Sequence, residues 1–174
     1  MLKIFSYFKL ILFSPGVILH ELSHAFFCYI SYGKIKKVSL FRFSETAGFV
    51  ECIPPNSIIS NILISFAPIL VNTFFSFVVF KKAFYLYNTN NFNIYIIFWF
   101  YLGWSFIWSA IPSDIDASAL ENMIFQKIHD NFLNIIFLIF LPIVWIFYIL
   151  YFLKSRFFLN IILLLFILYL SKIY

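Results

Sequence analysis

Apolar residues in this chain come in long runs, and polar residues are confined to the gaps between them. Crossing a bilayer as a helix takes about 17–25 residues. Phe8–Tyr32, Ile58–Phe80, Phe92–Ile111 and Phe132–Leu153 are long enough, and Phe157–Leu170 is a shorter fifth run. Ser14-Pro15 has the form of an N-cap and first turn. The first helix is therefore expected to begin at Pro15, with residues 1–13 as a separate interfacial piece. Two polar gaps interrupt the pattern. Residues 33–56 hold β-type runs, Lys37–Phe43 and Phe49–Ile53, around the turn-like SETAG, which predicts a short hairpin. Residues 112–130 start with proline, carry four acids and read as a polar interruption. The pattern predicts an all-α polytopic membrane protein with about five transmembrane helices and a short β-hairpin after the first. A single domain over 1–174 is expected, with its core at 15–120 and extra C-terminal helices at 131–174.

Composition strengthens the membrane reading. Of 174 residues, 64% are hydrophobic, 11% are charged and 27 are Phe, more apolar surface than a soluble domain of this size could hide. The net charge of +5 is thinly spread beside the apolar runs, which suits anchoring at a lipid interface and excludes a nucleic-acid patch. The opening MLKIFSYFKLILFSPG resembles a signal peptide but lacks a small-x-small cleavage site, so it is expected to be retained. With alternating spans, Lys3, Lys9, Lys81, Lys82, Lys154 and Arg156 fall on one side and Lys34, Lys36, Lys37, Arg42, Lys127 and Lys172 on the other. That even division leaves orientation unassigned. Two cysteines, Cys28 in an apolar run and Cys52 in a polar one, make no disulfide framework.

The first run contains PGVILHELSHAFFC, which places His20, Glu21 and His24 among apolar neighbours. An ionisable group at the bilayer centre costs roughly 2.5–3.5 kcal/mol on insertion scales. Residues four apart share a helix face, so His20 and His24 can bind one zinc ion, and Glu21 beside them can take a proton from zinc-activated water. A metal also gives these buried groups the partner that offsets their desolvation. The bland alternative is helix–helix hydrogen bonding. It leaves unexplained why two of only three histidines fall in this motif.

A catalytic zinc site takes three protein ligands and a water. Cys28, one turn further along, reads as a packing residue, because one helix rarely bends three ligands onto one ion. Glu45 and Glu51 sit in the β-type segment, and His129 beside Asp130, where solvated charge is the simpler reading. Asp114 and Asp116, just past the third run, remain as the candidates. On a helix two residues apart means about 200° of rotation, so only one can face the histidines. Asp116 precedes the small Ala117 and is preferred; Asp114 is expected to stay near the interface or cap the next turn.

At these residues the chain resembles the site-2 protease family of intramembrane zinc metalloproteases. The resemblance rests on HELSHA at 20–25, the following β segment, FAPILVN at 66–72 and IPSDIDASA at 111–119, and covers roughly residues 15–120. The chain departs from the family pattern in two places. Pro68 and Asn72 are one residue further apart, and Asp116 is followed by Ala117 instead of glycine. The resemblance implies one Zn2+ per chain, held by His20, His24 and Asp116, with Glu21 as general base and then proton donor. Asn72 would hydrogen-bond the substrate carbonyl, its alternative being an interhelical hydrogen bond. The implied function is a zinc-dependent endopeptidase cleaving membrane-embedded or membrane-adjacent peptide bonds, with the bilayer and a membrane-protein or peptide substrate as partners. The hairpin at 37–53 would offer an edge strand to that substrate. The rival is a non-catalytic membrane protein that keeps the fold as a binding partner or scaffold. A membrane di-iron enzyme fails on its need for many histidines.

Overall fold

A computed structural model describes the backbone of residues 2–43, 47–55, 57–90, 93–111, 113–130, 132–152 and 156–173, with the side chains of 2–9, 114, 132–134 and 151–160 among those outside the description. The first helix, α1, runs Leu2–Ile30 straight through Pro15, so the expected start at Pro15 is corrected. A proline inside a helix leaves the carbonyl four residues earlier without its donor, at a cost of about 3 kcal/mol or more. Here that carbonyl belongs to Ile11, and the Ser14 hydroxyl donates to it at 2.8 Å. Ser14 therefore repairs the ladder from within instead of capping a new helix. At the next residue the Gly16 amide donates to Ser105 Oγ at 2.9 Å.

α1 ends in a Schellman turn. Tyr32 takes a left-handed conformation (φ 61°), its amide donates to Tyr29 O, and the Gly33 amide donates to Cys28 O at 2.8 Å. That reversal feeds strand β1, Lys34–Ser39, which pairs antiparallel with β2, Phe49–Ile53, from Lys34↔Ile53 to Ser39↔Phe49. The second strand is where the sequence put it. The first begins three residues earlier than Lys37–Phe43, because pairing starts directly after the turn. Cys28 and Cys52 form a disulfide with Cα atoms 6.2 Å apart, fastening β2 to the last turns of α1. This corrects both the expectation that the two cysteines make no disulfide framework and the reading of Cys28 as a small packing residue.

Four more helices follow before the last. α2 spans Ile58–Asn90, α3 Ile94–Trp108, α4 Asp114–Asp130 and α5 Leu141–Phe152, with a 3-10 segment at Phe132–Phe140 before α5. The polar interruption at 112–130 is thus itself a helix. Its apolar residues Ala117, Leu120 and Ile124 recur at three- and four-residue spacing and bury against Leu141 and Val144 of α5. The last helix, α6 (Arg156–Ile173), packs Leu164 and Ile167 onto Phe80, Ile107 and Ala110 from α2 and the end of α3.

Among the described residues two helices are long and apolar enough to cross a membrane, Leu10–Ile30 and Ile59–Thr89, in place of the five expected. α3 has only 15 residues, about 22 Å of rise against a hydrocarbon core of about 30 Å. Composition overcounted spans because apolar runs include the residues that end a helix. The two long helices carry exposed Leu22, Phe26, Leu70, Phe74 and Val78 on their outer faces, which supports membrane association.

α1, α2 and α3 meet at close range. A Cβ on Gly16 would fall on the Ser105 carbonyl, and one on Gly103 would lie 2.8 Å from the Phe80 ring. These contacts bring the midpoint of α1 against α3 and set His20, one turn on, beside the C-terminus of α3.

Candidate metal centre

His20 and His24 project from α1 one turn apart, with ring centroids 4.9 Å apart. The Nδ1 of His20 lies 2.6 Å from the Ser109 carbonyl, where α3 ends and its last carbonyls have no helical donor. The Nδ1 of His24 lies 2.8 Å from the Ile64 carbonyl in α2. A carbonyl oxygen only accepts, so in each neutral ring Nδ1 carries the proton and Nε2 the lone pair. Those two Nε2 atoms are 3.2 Å apart.

Asp116 joins them from the first turn of α4. Its carboxylate oxygens lie 3.8 Å from His20 Nε2 and 3.4 Å from His24 Nε2. Its orientation comes from a capping box. The Ser113 amide and hydroxyl donate to Asp116 Oδ2 at 2.8 and 2.6 Å, and the Asp116 amide donates back to Ser113 Oγ at 3.2 Å. Asp116 is therefore the carboxylate beside the histidines. Asp114 opens α4, and its side chain lies outside the described residues, as does Glu45. Glu51 is exposed on β2, and exposed His129 is thirteen residues further along α4.

Three acceptors thus converge, two imidazole lone pairs and a carboxylate, and they need a cation between them. Protonation of the imidazoles at Nε2 would supply one, as donors to the Asp116 carboxylate. A metal ion meets the same demand. Ligand bonds of about 2.0–2.1 Å at tetrahedral angles put neighbouring ligand atoms about 3.3–3.4 Å apart. The two Nε2 atoms, 3.2 Å apart, match that spacing, and the carboxylate lies 3.4 Å away through Oδ1 (to His24) and 3.8 Å through Oδ2 (to His20), so the three residues, with one ligand atom each within 4.8 Å of the others, could hold a metal ion. Among the described residues His20, His24 and Asp116 are the group that can hold a metal.

No family model, curated protein or solved structure matches the chain. The centre must therefore be read from its own geometry.

A cavity of about 1140 Å³ opens over these three side chains, walled by Glu21, by Phe49, Val50 and Cys52 of β2, by Trp108 and Ser109 at the end of α3, and by the first turns of α4. Glu21 is 8% exposed and packs under Gly48, where a Cβ would lie 2.6 Å from its Cγ. Glycine at 48 thus leaves the space that the Glu21 side chain occupies. Arg42, stacked at 4.6 Å on the Phe49 ring, adds positive charge to the same wall.

Asn72 is not on that wall. It is fully buried in α2, and its Nδ2 donates to the Gly16 carbonyl at 3.2 Å, while Oδ1 has no hydrogen-bond partner among the described residues. That contact is the interhelical hydrogen bond named as its alternative role. The sequence reading did not single out Ser109, Ser113 or Ile64, which orient His20, Asp116 and His24 respectively. For Ser113 a signal was present, since Ser-x-x-Asp directly after a proline marks a helix start. The two carbonyls carry no residue signature.

Proposed function

We propose that this chain is a zinc-dependent intramembrane endopeptidase that hydrolyses peptide bonds in or next to membrane-embedded segments. The observation that carries the reading is the convergence of His20, His24 and Asp116 into an acceptor-only cluster under a cavity that Glu21 also lines. Zinc bound there would supply Lewis acidity, polarising a carbonyl and making water acidic enough to ionise near neutral pH. Glu21 follows His20 directly, and adjacent helical residues point about 100° apart, which suits a base that does not ligate. Its carboxylate takes a proton from the attacking water and passes it to the amine nitrogen as the C–N bond breaks. Substrate enters alongside β2, whose residues wall the cavity while its other edge is held by β1. Strand pairing there keeps a peptide extended and its carbonyl accessible.

The membrane setting is multi-pass on this reading. Lys81 lies 22 residues beyond Ile59, about 33 Å of helix, close to the thickness of a hydrocarbon core. α2 then continues past its lysines as an extramembrane stretch. The shorter apolar helices α3, α5 and α6 complete the bundle inside the bilayer, where α3 supplies the His20 acceptor, and the acid-rich α4 stays at the interface.

Reconstituted protein, incubated with a library of single-span membrane peptides and analysed for fragments, tests the function. Wild type should cleave, and Glu21→Gln should lose at least about 100-fold in rate, as for removal of a general base, while keeping its metal. Metal retention with no cleavage by either protein would favour a non-catalytic binding protein and overturn the peptidase reading.

A further inference from the structure

Every buried backbone acceptor needs a donor, and the acceptor that orients His24 is an odd one. Ile64 is in the interior of α2, where a carbonyl ordinarily accepts from the amide four residues later. The residue four later is Pro68, which has no amide hydrogen. We infer that Pro68 is a positioning residue of the metal centre: by withholding the helical donor, it leaves the Ile64 carbonyl to the Nδ1–H of His24 and so fixes which nitrogen of that ring is free to bind metal.

The chemistry runs through tautomers. A neutral imidazole presents one N–H and one lone pair, and the hydrogen bond made by one nitrogen decides the state of the other. With Nδ1–H held 2.8 Å from Ile64 O, the lone pair sits on Nε2, which faces Asp116 at 3.4 Å and His20 Nε2 at 3.2 Å. Had residue 68 an amide hydrogen, it would approach the Ile64 oxygen along the helix axis and compete with the ring. The proline ring also crowds the carbonyl of the residue four before it, which favours tilting that oxygen away from the axis, toward a donor on a neighbouring helix. Pro68 is fully buried, so its effect is exerted inside the bundle and not through solvent.

The molecule supplies two internal controls. Pro15 creates the same gap in α1, but there the Ser14 hydroxyl fills it and no ring is involved. His20 takes its acceptor from the end of α3, where no proline is needed.

The test rests on the metal-site reading only for its second readout. In metal-free protein labelled with 15N-histidine, at a pH raised until the ring 15N shifts report neutral imidazoles, wild type should show His24 as the Nδ1–H tautomer. In Pro68→Ala the His24 signals should shift toward the Nε2–H tautomer while those of His20 stay put. Zinc affinity should fall about 10- to 100-fold, the usual effect of losing a partner that orients a ligand. Pro15→Ala should change neither. Lactic acid incorporated at position 68, which lacks the ring and the amide hydrogen alike, should restore the wild-type tautomer; a purely structural proline would not be rescued this way. An unchanged His24 tautomer in Pro68→Ala, or no rescue by lactic acid, overturns the inference. A tautomer shift in a protein that binds no zinc even as wild type would uphold the positioning role and overturn the metal reading instead.

Discussion

Two prolines sit inside long helices of this protein, and they leave the same defect. Pro15 deprives the Ile11 carbonyl of its donor, and Pro68 deprives that of Ile64. In α1 the gap is closed one residue away by the Ser14 hydroxyl. In α2 it is closed from another helix, by a histidine forty residues earlier in the chain. The first repair keeps α1 continuous past Pro15. The second turns a flaw in α2 into a bond that, on the proposed reading, aims a metal ligand. What separates a structural proline from a functional one is therefore where the replacement donor comes from. Neither hydropathy nor local spacing reports that.

The largest expected effect comes from parting α1 from α3, just before the turn that carries the histidines. Gly16 sits against Ser105 with no room for a Cβ, one turn before His20. Gly16→Val should separate α1 from α3, cost about 3 kcal/mol or more in stability, and abolish metal binding although no ligand is touched. Thermal unfolding in detergent together with metal content measures both effects. A smaller change sharpens the comparison at the third ligand. Ser113→Ala removes one of the two donors to Asp116 Oδ2 and the acceptor for the Asp116 amide. Zinc affinity should drop about 10-fold or more, with about 1 kcal/mol lost from the start of α4, as read by competitive chelator titration and by thermal unfolding. The smallest effect belongs to Ser14→Ala, which leaves the Ile11 carbonyl without its side-chain donor. It should cost about 1 kcal/mol and leave zinc affinity within error of wild type. A large affinity loss there would show that the two prolines are not functionally different after all.

How much of this was legible in the chain follows from sequence separation. His20, Glu21 and His24 share one helix turn, so their spacing alone proposes the chemistry. Elimination among few acids left Asp114 and Asp116, the small Ala117 and the family resemblance favoured the second, and the structure sets Asp116 beside the histidines. α4 was missed because its polar face dominates a short, acid-rich stretch, although Ala117, Leu120 and Ile124 already carried the helical period. The Cys28–Cys52 disulfide and the Asn72–Gly16 contact join residues 24 and 56 apart, and only the packing of α1 against the hairpin and α2 brings them together. The count of membrane spans went too high for a different reason, since a run such as Phe92–Ile111 yields a helix of only 15 residues once its ends turn.

The central claim is that His20, His24 and Asp116 hold one metal ion, and metal stoichiometry tests it most directly. Elemental analysis of the purified wild type, after equilibration with limiting zinc and gel filtration, should return about one zinc per chain, the content expected of a single three-ligand site. Asp116→Ala should lose that zinc and Asp114→Ala should keep it, since only Asp116 reaches the two imidazoles among the described side chains. Full zinc retention by Asp116→Ala, or a wild type that binds none, would contradict the account.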